Sequence, residues 1–518
     1  ARTVLKWKSN QRLDLSENQL NGKILESTKL SPLLESLSIT SNILEGGIPK
    51  SFGNACALRS LDMSNNSLSE EFPMIIHHLS GCARYSLERL NLGKNQINGT
   101  LHDLSIFSSL RELYLDGNKL NGEIPKDIKF PPQLEELDLQ SNSLKGVLTD
   151  YHFANMSKLD FLELSDNSLL ALAFSPNWKI WFQSDSRSFL CMDGTVENLY
   201  QLDLSNNHLS GKIPDCWSHF KSLSYLDLSH NNFSGRIPTS MGSLLRLQAL
   251  LLRNNNLTDE IHFSLSSCTN LVMLDIAQNR LSGLIPAWVG SELQELQFFN
   301  IDLSSNHFSG EIPLEIDNLF GLVSLNLSRN SLIGKIPSKI GKLTSLESLD
   351  LSRNQLIGSI PPSLTQIYGL GVLDLSHNHL TGKIPTSTQL QSFNASKLNL
   401  GWNKIHGILP EFSMFLKLET LVLSGNQLKG GIYWILIGRI RFGHESNGTL
   451  PNTLSVFPSL RRLYLYRNKL NGTISEDVGF PARLEQLDLS SNALNVIDLS
   501  DNSLALEFSQ NWAPCFQL

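Results

Sequence analysis

Three turns of a repeated phrase place a cation or an imidazole directly before an asparagine: Arg329 before Asn330, Arg353 before Asn354, His377 before Asn378. Trp402 takes that slot before Asn403, and Arg253 lies one position earlier in its own repeat, two before Asn255. If the turns stack, these side chains form a column of cation, cation, imidazole and indole. Arginine and tryptophan are favoured anchors at binding surfaces, so the column suits contact with a peptide, a glycan or a partner receptor. Ordinary surface variation explains the same residues without a ligand. Tyr464, Tyr466 and Arg467 form a smaller cluster of similar chemistry. A second column is acidic, with Asp between two leucines at 14, 62, 138, 203, 227, 275, 302, 350, 374, 488 and 498. It either reads a cationic partner or, the reading adopted here, consists of solvated strand residues that discourage sheets from associating.

No catalytic constellation is legible. The chain has no Walker loop, no kinase glycine-rich loop with HRD and DFG companions, no HExxH and no GxSxG. Ser, His and Asp are plentiful but occupy repeat slots, so neither an enzyme nor a cofactor or metal site is expected. Lys and Arg are not clustered, and a net charge of −7 over 518 residues is mild. Nucleic acid is therefore not an expected partner. The six cysteines, at 56, 82, 191, 216, 268 and 515, include no CxxC pair. Cys56 and Cys268 precede a leucine ladder, where a small apolar side chain fits, so buried thiols are expected rather than a disulfide framework.

The elements that carry these residues follow from a period. A phrase of Leu-x-Leu, two small residues, Asn, x-Leu and usually Gly recurs twenty times, with its Asn at 18, 42, 66, 95, 118, 142, 167, 207, 231, 255, 279, 306, 330, 354, 378, 403, 426, 468, 492 and 502. Most steps are 23 to 25 residues, the signature of a leucine-rich-repeat solenoid. Leu-x-Leu alternation is the period of a half-buried strand. Stacked copies make a curved parallel sheet on the concave face of a right-handed superhelix in the α/β class of repeats. Each Asn should end its strand and turn inward, bonding backbone groups of neighbouring turns. The ladder Asn207, Asn231, Asn255, Asn279, Asn306, Asn330, Asn354 and Asn378 is its most regular stretch. Nine copies continue as Gly-x-Ile-Pro, from Gly46–Pro49 to Gly382–Pro385. Gly permits the bend, Ile points inward and Pro tolerates an extended edge. A second short extended or 3-10 segment is thus expected on the outside of each turn.

Two steps break the period. Asn167 to Asn207 spans 40 residues and leaves room for one degenerate turn, with Trp178 and Ile180 as leucines and Gln183 as asparagine. Between Asn426 and Asn468, Arg441 stands in a leucine slot and His444 in an Asn slot, so a distorted or open turn is expected there. Residues 106–144 also match residues 456–494 at 24 of 39 positions, while Asn492 and Asn502 stand ten apart. A joined and partly deleted duplicate explains both. The layout read from this is regular repeats over 1–170, a degenerate repeat or insertion over 171–200, and regular repeats over 201–412. A partial duplicate fills 413–518, broken near 429–446 and 495–497.

No run reaches eighteen apolar residues, so no membrane span is expected in this chain. It begins at Ala1 without Met or an apolar leader, read as a removed signal or a truncated end. Sequons occur at Asn65, Asn98, Asn155, Asn232, Asn256, Asn326, Asn394, Asn447 and Asn471. They are glycosylation candidates, and a glycan on Asn326 would stand on the sheet face.

The 24-residue period with its Gly-x-Ile-Pro extension resembles plant leucine-rich-repeat receptor-like proteins, most closely those of the fungal-elicitor-receptor kind. Residues 381–396, TGKIPTSTQLQSFNAS, resemble the sequence that closes the last repeat in that family. There a cysteine cap, an acidic stretch and a membrane helix follow; here another repeat does. The cysteine-pair caps are missing, and the non-repeat island is read as deleted between Leu296 and Ile301. The resemblance implies a cell-surface ectodomain at the plasma membrane that senses microbial or endogenous molecules and signals in defence through partner or co-receptor kinases. Two alternatives are a soluble inhibitor of wall-degrading enzymes and a damaged, inactive gene product.

Overall fold

The computed structural model describes residues 11–125, 128–148, 156–167, 169–172, 198–293, 297–385, 396–408, 417–431, 459–474 and 483–497. It divides into two compact units, residues 1–280 and 281–518. Each is a leucine-rich-repeat solenoid built on a parallel sheet of short strands, one per turn. In the first unit the ladder runs in register through Leu37, Leu61, Leu90, Leu113, Leu137, Leu162, Leu202, Leu226, Leu250 and Leu274. In the second it runs through Ile301, Leu325, Leu349, Leu373, Leu398, Leu421, Leu463 and Leu487. All but Leu487 are at most 5% exposed. Each buried leucine contributes about 1.5–3 kcal/mol, and because a turn buries its leucines only against its neighbours, stability propagates from turn to turn.

The asparagines do what the pattern demands. Asn354 is typical: its amide nitrogen donates to Leu351 and Ser352 of its own turn and to the Leu327 carbonyl of the preceding one. Its oxygen accepts from the Leu332 N–H, 3.1 Å away. Asn231, Asn255, Asn279, Asn330 and Asn378 repeat this set, and Asn306 holds the same two carbonyls of its own turn and the Leu281 N–H. At Asn207 the three amide donations are present, but the oxygen has no partner among the described residues. That rung follows the 40-residue step. The nine Gly-x-Ile-Pro isoleucines are all at most 7% exposed. Their glycines bend with positive φ, Gly358 at 79° for example. The segments at most of these bends pair into small flanking sheets, as Ser210–Lys212, Asn232–Gly235 and Asn256–Leu257 do. Several turns then close through a 3-10 segment such as Thr239–Ser243 or Pro362–Gln366.

One expectation is corrected, and two fall on residues that are not described. Strand Phe161–Glu163 pairs directly with Gln201–Asp203, and the outer edge of each is filled by its other neighbour. Trp178, Ile180 and Gln183, expected in a degenerate turn, lie outside the described residues. Likewise Thr420–Val422 pairs directly with Arg462–Tyr464, and Asn468 donates to the Leu423 carbonyl. The sheet closes across that break; Arg441 and His444 lie outside the described residues. Finally, Cys56 is not a buried thiol but a disulfide with Cys82, with Cα atoms 4.9 Å apart. The turn from Asn66 to Asn95 is enlarged by the helix Phe72–Leu79. It delivers Cys82 beside the end of the preceding turn's 3-10 segment, Lys50–Asn54. Cys216 is disulfide-bonded too, whereas Cys268 is the expected buried free thiol.

Replacing Asn354 with Ala strips one N–H and three carbonyls of their partner inside a buried ladder. A loss of about 2–3 kcal/mol is expected from the penalty on unsatisfied groups. Hydrogen exchange should accelerate at Leu332 and in the flanking turns, while Asn232→Ala, exposed outside the ladder, leaves both measurements unchanged.

Candidate functional site

The slot before each ladder asparagine is a left-handed turn. Arg329, Arg353, His377, Trp402 and Arg467 all have φ of 53–55°, a region that Gly, Asn and Asp enter cheaply and bulky side chains do not. The turn is held by backbone bonds to the next coil: Arg329 N–H to Ser352 O, Arg353 to Ser376, His377 to Gly401, Trp402 to Ser424 and Arg467 to Ser490. Successive slots therefore stand one strand spacing apart, about 4.8 Å, and their side chains run in file beside the sheet. In the first unit this file is mixed, with Glu17, Lys94, Asp166 and Gln278 among its residues, and some members bond one another, as Asn65 to Ser41 and Asn254 to His230 do.

In the second unit the file is cationic and aromatic. His377 stacks on Trp402 with ring centroids 5.7 Å apart and planes 13° from parallel. Gly425 occupies the next slot, and a Cβ there would lie 2.9 Å from the Trp402 ring. The indole thus leans across the glycine into the following turn. There the Arg467 guanidinium lies 5.3 Å from its centroid and Tyr466 meets it edge-on at 6.4 Å. The two clusters expected separately from the sequence are one. They meet because Gly425 leaves room and because the strand ending at Val422 pairs straight to that ending at Tyr464. Tyr464 itself is bound to Gln486.

Several arginines elsewhere are neutralised across one turn: Arg59 by Glu88, Arg89 by Glu112, Arg111 by Glu135 at 2.7 Å, Arg461 by Glu485 at 3.3 Å. Arg253 belongs to the first unit and pairs with Asp275 at 3.4 Å; it is not brought into this file. Arg329 and Arg353 are exposed and have no acidic partner among the described residues. His377 is held below the ordinary imidazole range by burial first, then by the Arg353 and Arg329 charges, with Asp374 opposing. It is neutral at pH 7.

The acidic column is not made of freely solvated residues. At all ten described positions the inter-leucine Asp accepts the backbone N–H two residues on, from Ser16 to Ser490. This pins the turn that follows the strand. Where Asn follows Asp on the next strand the pair is bonded, as Asn326 to Asp302 and Asn399 to Asp374. Between Asp138 and Asp227 no Asn intervenes: Asp138, Glu163, Asp203 and Asp227 stack on four consecutive strands. Burial, then mutual repulsion, pushes Glu163 up to about 8 and Asp203 up to about 6. Burial also takes Asp138 to about 6.

Of the sequons, Asn65, Asn232 and Asn471 are exposed, and Asn98 and Asn256 half-exposed. Asn326 is occupied by its bonds to Asp302 and Ser328. Asn155, Asn394 and Asn447 lie outside the described residues. Among the described residues no cluster has the makings of a metal site, and no helix is long and apolar enough to cross a membrane.

Leucine-rich-repeat family models match residues 57–79, 109–130, 194–233, 270–291, 298–319 and 320–380. The receptor-like protein EIX2 of Solanum lycopersicum is 43% identical over 111 residues, 21% of this chain and 11% of that protein. Receptor-like protein 35 of Arabidopsis thaliana is 35% identical over 224 residues, 42% of this chain and 22% of that one. The chain thus spans about a tenth to a fifth of the length of these curated relatives. Among solved structures, the plant peptide hormone receptor RGFR1 in complex with RGF2 superposes with a TM-score of 0.75 at 34% identity, over 93% of this chain and 73% of that one. The Arabidopsis receptor kinase HAESA, in complex with the peptide hormone IDA and the co-receptor SERK1, gives 0.67 at 27% identity, over 93% and 74%.

Two outcomes follow from the site's geometry. Gly425→Ala should displace Trp402 from Arg467, measured as a red shift of its fluorescence on solvation. The raised carboxyls of the first unit hold protons that the unfolded chain releases nearer pH 4. Folding there binds protons, and stability falls as pH rises from about 4 to 8. Glu163→Gln keeps an acceptor for the Ser165 N–H and removes a charge. Its denaturation midpoint should exceed the wild type's at pH 8 and converge with it at pH 4.

Proposed function

Because this chain belongs to the plant leucine-rich-repeat receptor-like proteins, we propose that it is the ligand-recognising part of a cell-surface receptor, with the Arg329–Trp402–Arg467 file as its contact face. The observation that carries this reading is the file itself. Two exposed guanidiniums without acidic partners and a stacked indole occupy left-handed slots that favour Gly, Asn and Asp. Arg329 and Arg353 gain no ion pair there among the described residues, whereas Arg and Trp side chains dominate the energetics of binding surfaces. The fold is otherwise that of a binding module, a stack of buried leucines and bonded asparagines.

A peptide or protein ligand is the reading supported by RGFR1, a peptide hormone receptor, and by HAESA in its complex with the peptide hormone IDA. On this proposal the chain lies outside the cell at the plasma membrane. It recognises a microbial or endogenous molecule and passes the signal, in defence, to partner kinases acting as co-receptors. It does no chemistry on its ligand. Exposed Asn232 and Asn471, on the flanking strands, would carry glycans away from the file.

Surface plasmon resonance of the full chain against a panel of secreted plant and microbial peptides tests the assignment. Binders should lose at least tenfold in affinity with Trp402→Ala and be unaffected by Ile357→Ala, exposed on the flank. Binders indifferent to Trp402 and Arg353 but sensitive to the flank would move the contact face elsewhere.

A further inference from the structure

We propose that Arg329, Arg353 and His377 form an anion clamp for an acidic peptide, and that the clamp tightens when His377 takes up a proton. The inference rests on the file being the ligand face and adds the chemistry of what it holds. The two arginines stand on consecutive turns, whose backbones run about 4.8 Å apart, in a protein whose Arg59, Arg89, Arg111, Arg253 and Arg461 each meet a carboxylate. Like charges on neighbouring turns repel, and neither guanidinium meets a carboxylate among the described residues. A carboxylate placed between two guanidinium forks satisfies both, through charge-assisted bonds that are short and strong.

His377 continues the file on the next turn. The charged groups that face it are Arg353 and Arg329 from the preceding strands, Asp374 on its own strand, and Lys397 on the following strand. Lys397 binds Asp374 at 3.5 Å and Asn399 binds it at 2.9 Å, so this carboxylate is already engaged. The imidazole therefore sits in a net positive field that opposes its protonation, and an anion bound beside it reverses that field. Linkage then requires the converse: protonating His377 strengthens the anion's binding. A peptide is favoured over an acidic glycan because His377 from the preceding turn and Arg467 from a following one cover the Trp402 ring. No indole face is left for a sugar to stack on.

The test uses rhodamine-labelled, C-terminally amidated hexa-aspartate, with hexa-asparagine and tetragalacturonate as comparators, read by fluorescence anisotropy on the full chain. Hexa-aspartate should bind at least tenfold tighter than hexa-asparagine and weaken steeply with added NaCl. Its affinity should rise at least threefold from pH 7.5 to 5.0, a range where aspartate stays ionised. The R329Q/R353Q double variant should lose at least tenfold. H377Q should keep its affinity at pH 7.5 and lose the pH response. Charge-independent binding, an unaffected double variant, or a pH response that persists in H377Q overturns the clamp. Tetragalacturonate binding tighter than hexa-aspartate and lost in R329Q/R353Q overturns the peptide assignment. A peptide that depends on Trp402 but not on charge sinks this inference and leaves the receptor reading standing. The NaCl dependence of the wild type decides the matter even if a variant folds poorly.

Discussion

The amide of the ladder asparagine is the interaction on which the remaining structure depends. One side chain satisfies two carbonyls of its own turn, one carbonyl of the turn before, and one N–H of that earlier turn. Leucine burial supplies the larger free energy, but it is non-directional and would tolerate slippage along the stack. The asparagine fixes register, because its four partners exist only at one offset. It also obliges the residue before it to adopt a left-handed turn. The recognition slots are therefore a by-product of the stitch that joins the coils, and a variable side chain projects wherever the invariant one turns inward.

Much of this was legible in the residues. The two-residue alternation of Leu-x-Leu, the Asn position and the Gly-x-Ile-Pro bend each follow from local chemistry that every copy restates. The file of Arg329, Arg353, His377 and Trp402 was also legible, because stacking converts a shared slot into adjacency. What escaped was whatever depends on one turn departing from the rest. Cys56 and Cys82 lie 26 residues apart, close to the period, yet only the helix Phe72–Leu79 brings them together. Its signal was the overlong step from Asn66 to Asn95. The union of Trp402 with Arg467 was hidden because it crosses a 42-residue step in the sequence that the sheet treats as one rung.

The inter-leucine aspartates show how one slot carries two loads. Each caps the turn by accepting a backbone N–H. Where consecutive turns alternate Asp with Asn, the second oxygen of the Asp also finds a donor. Where Asp138, Glu163, Asp203 and Asp227 follow one another, the capping geometry survives, and protonation is the remaining way to relieve the repulsion. Pattern reading from the repeat alone weighs each Asp by itself and misses this, since the cost appears only between neighbours on paired strands.

The direct pairing of Phe161–Glu163 with Gln201–Asp203, and of Thr420–Val422 with Arg462–Tyr464, separates the scaffold from its ornament. A coil can carry a long excursion and still hand its successor the same edge, because pairing and stitching occur within about ten residues of each phrase. Insertions and deletions between phrases are thus free to diversify such a protein without disturbing the turns on either side. The architecture grows like a spiral binding, in which pages of unequal width share one spine.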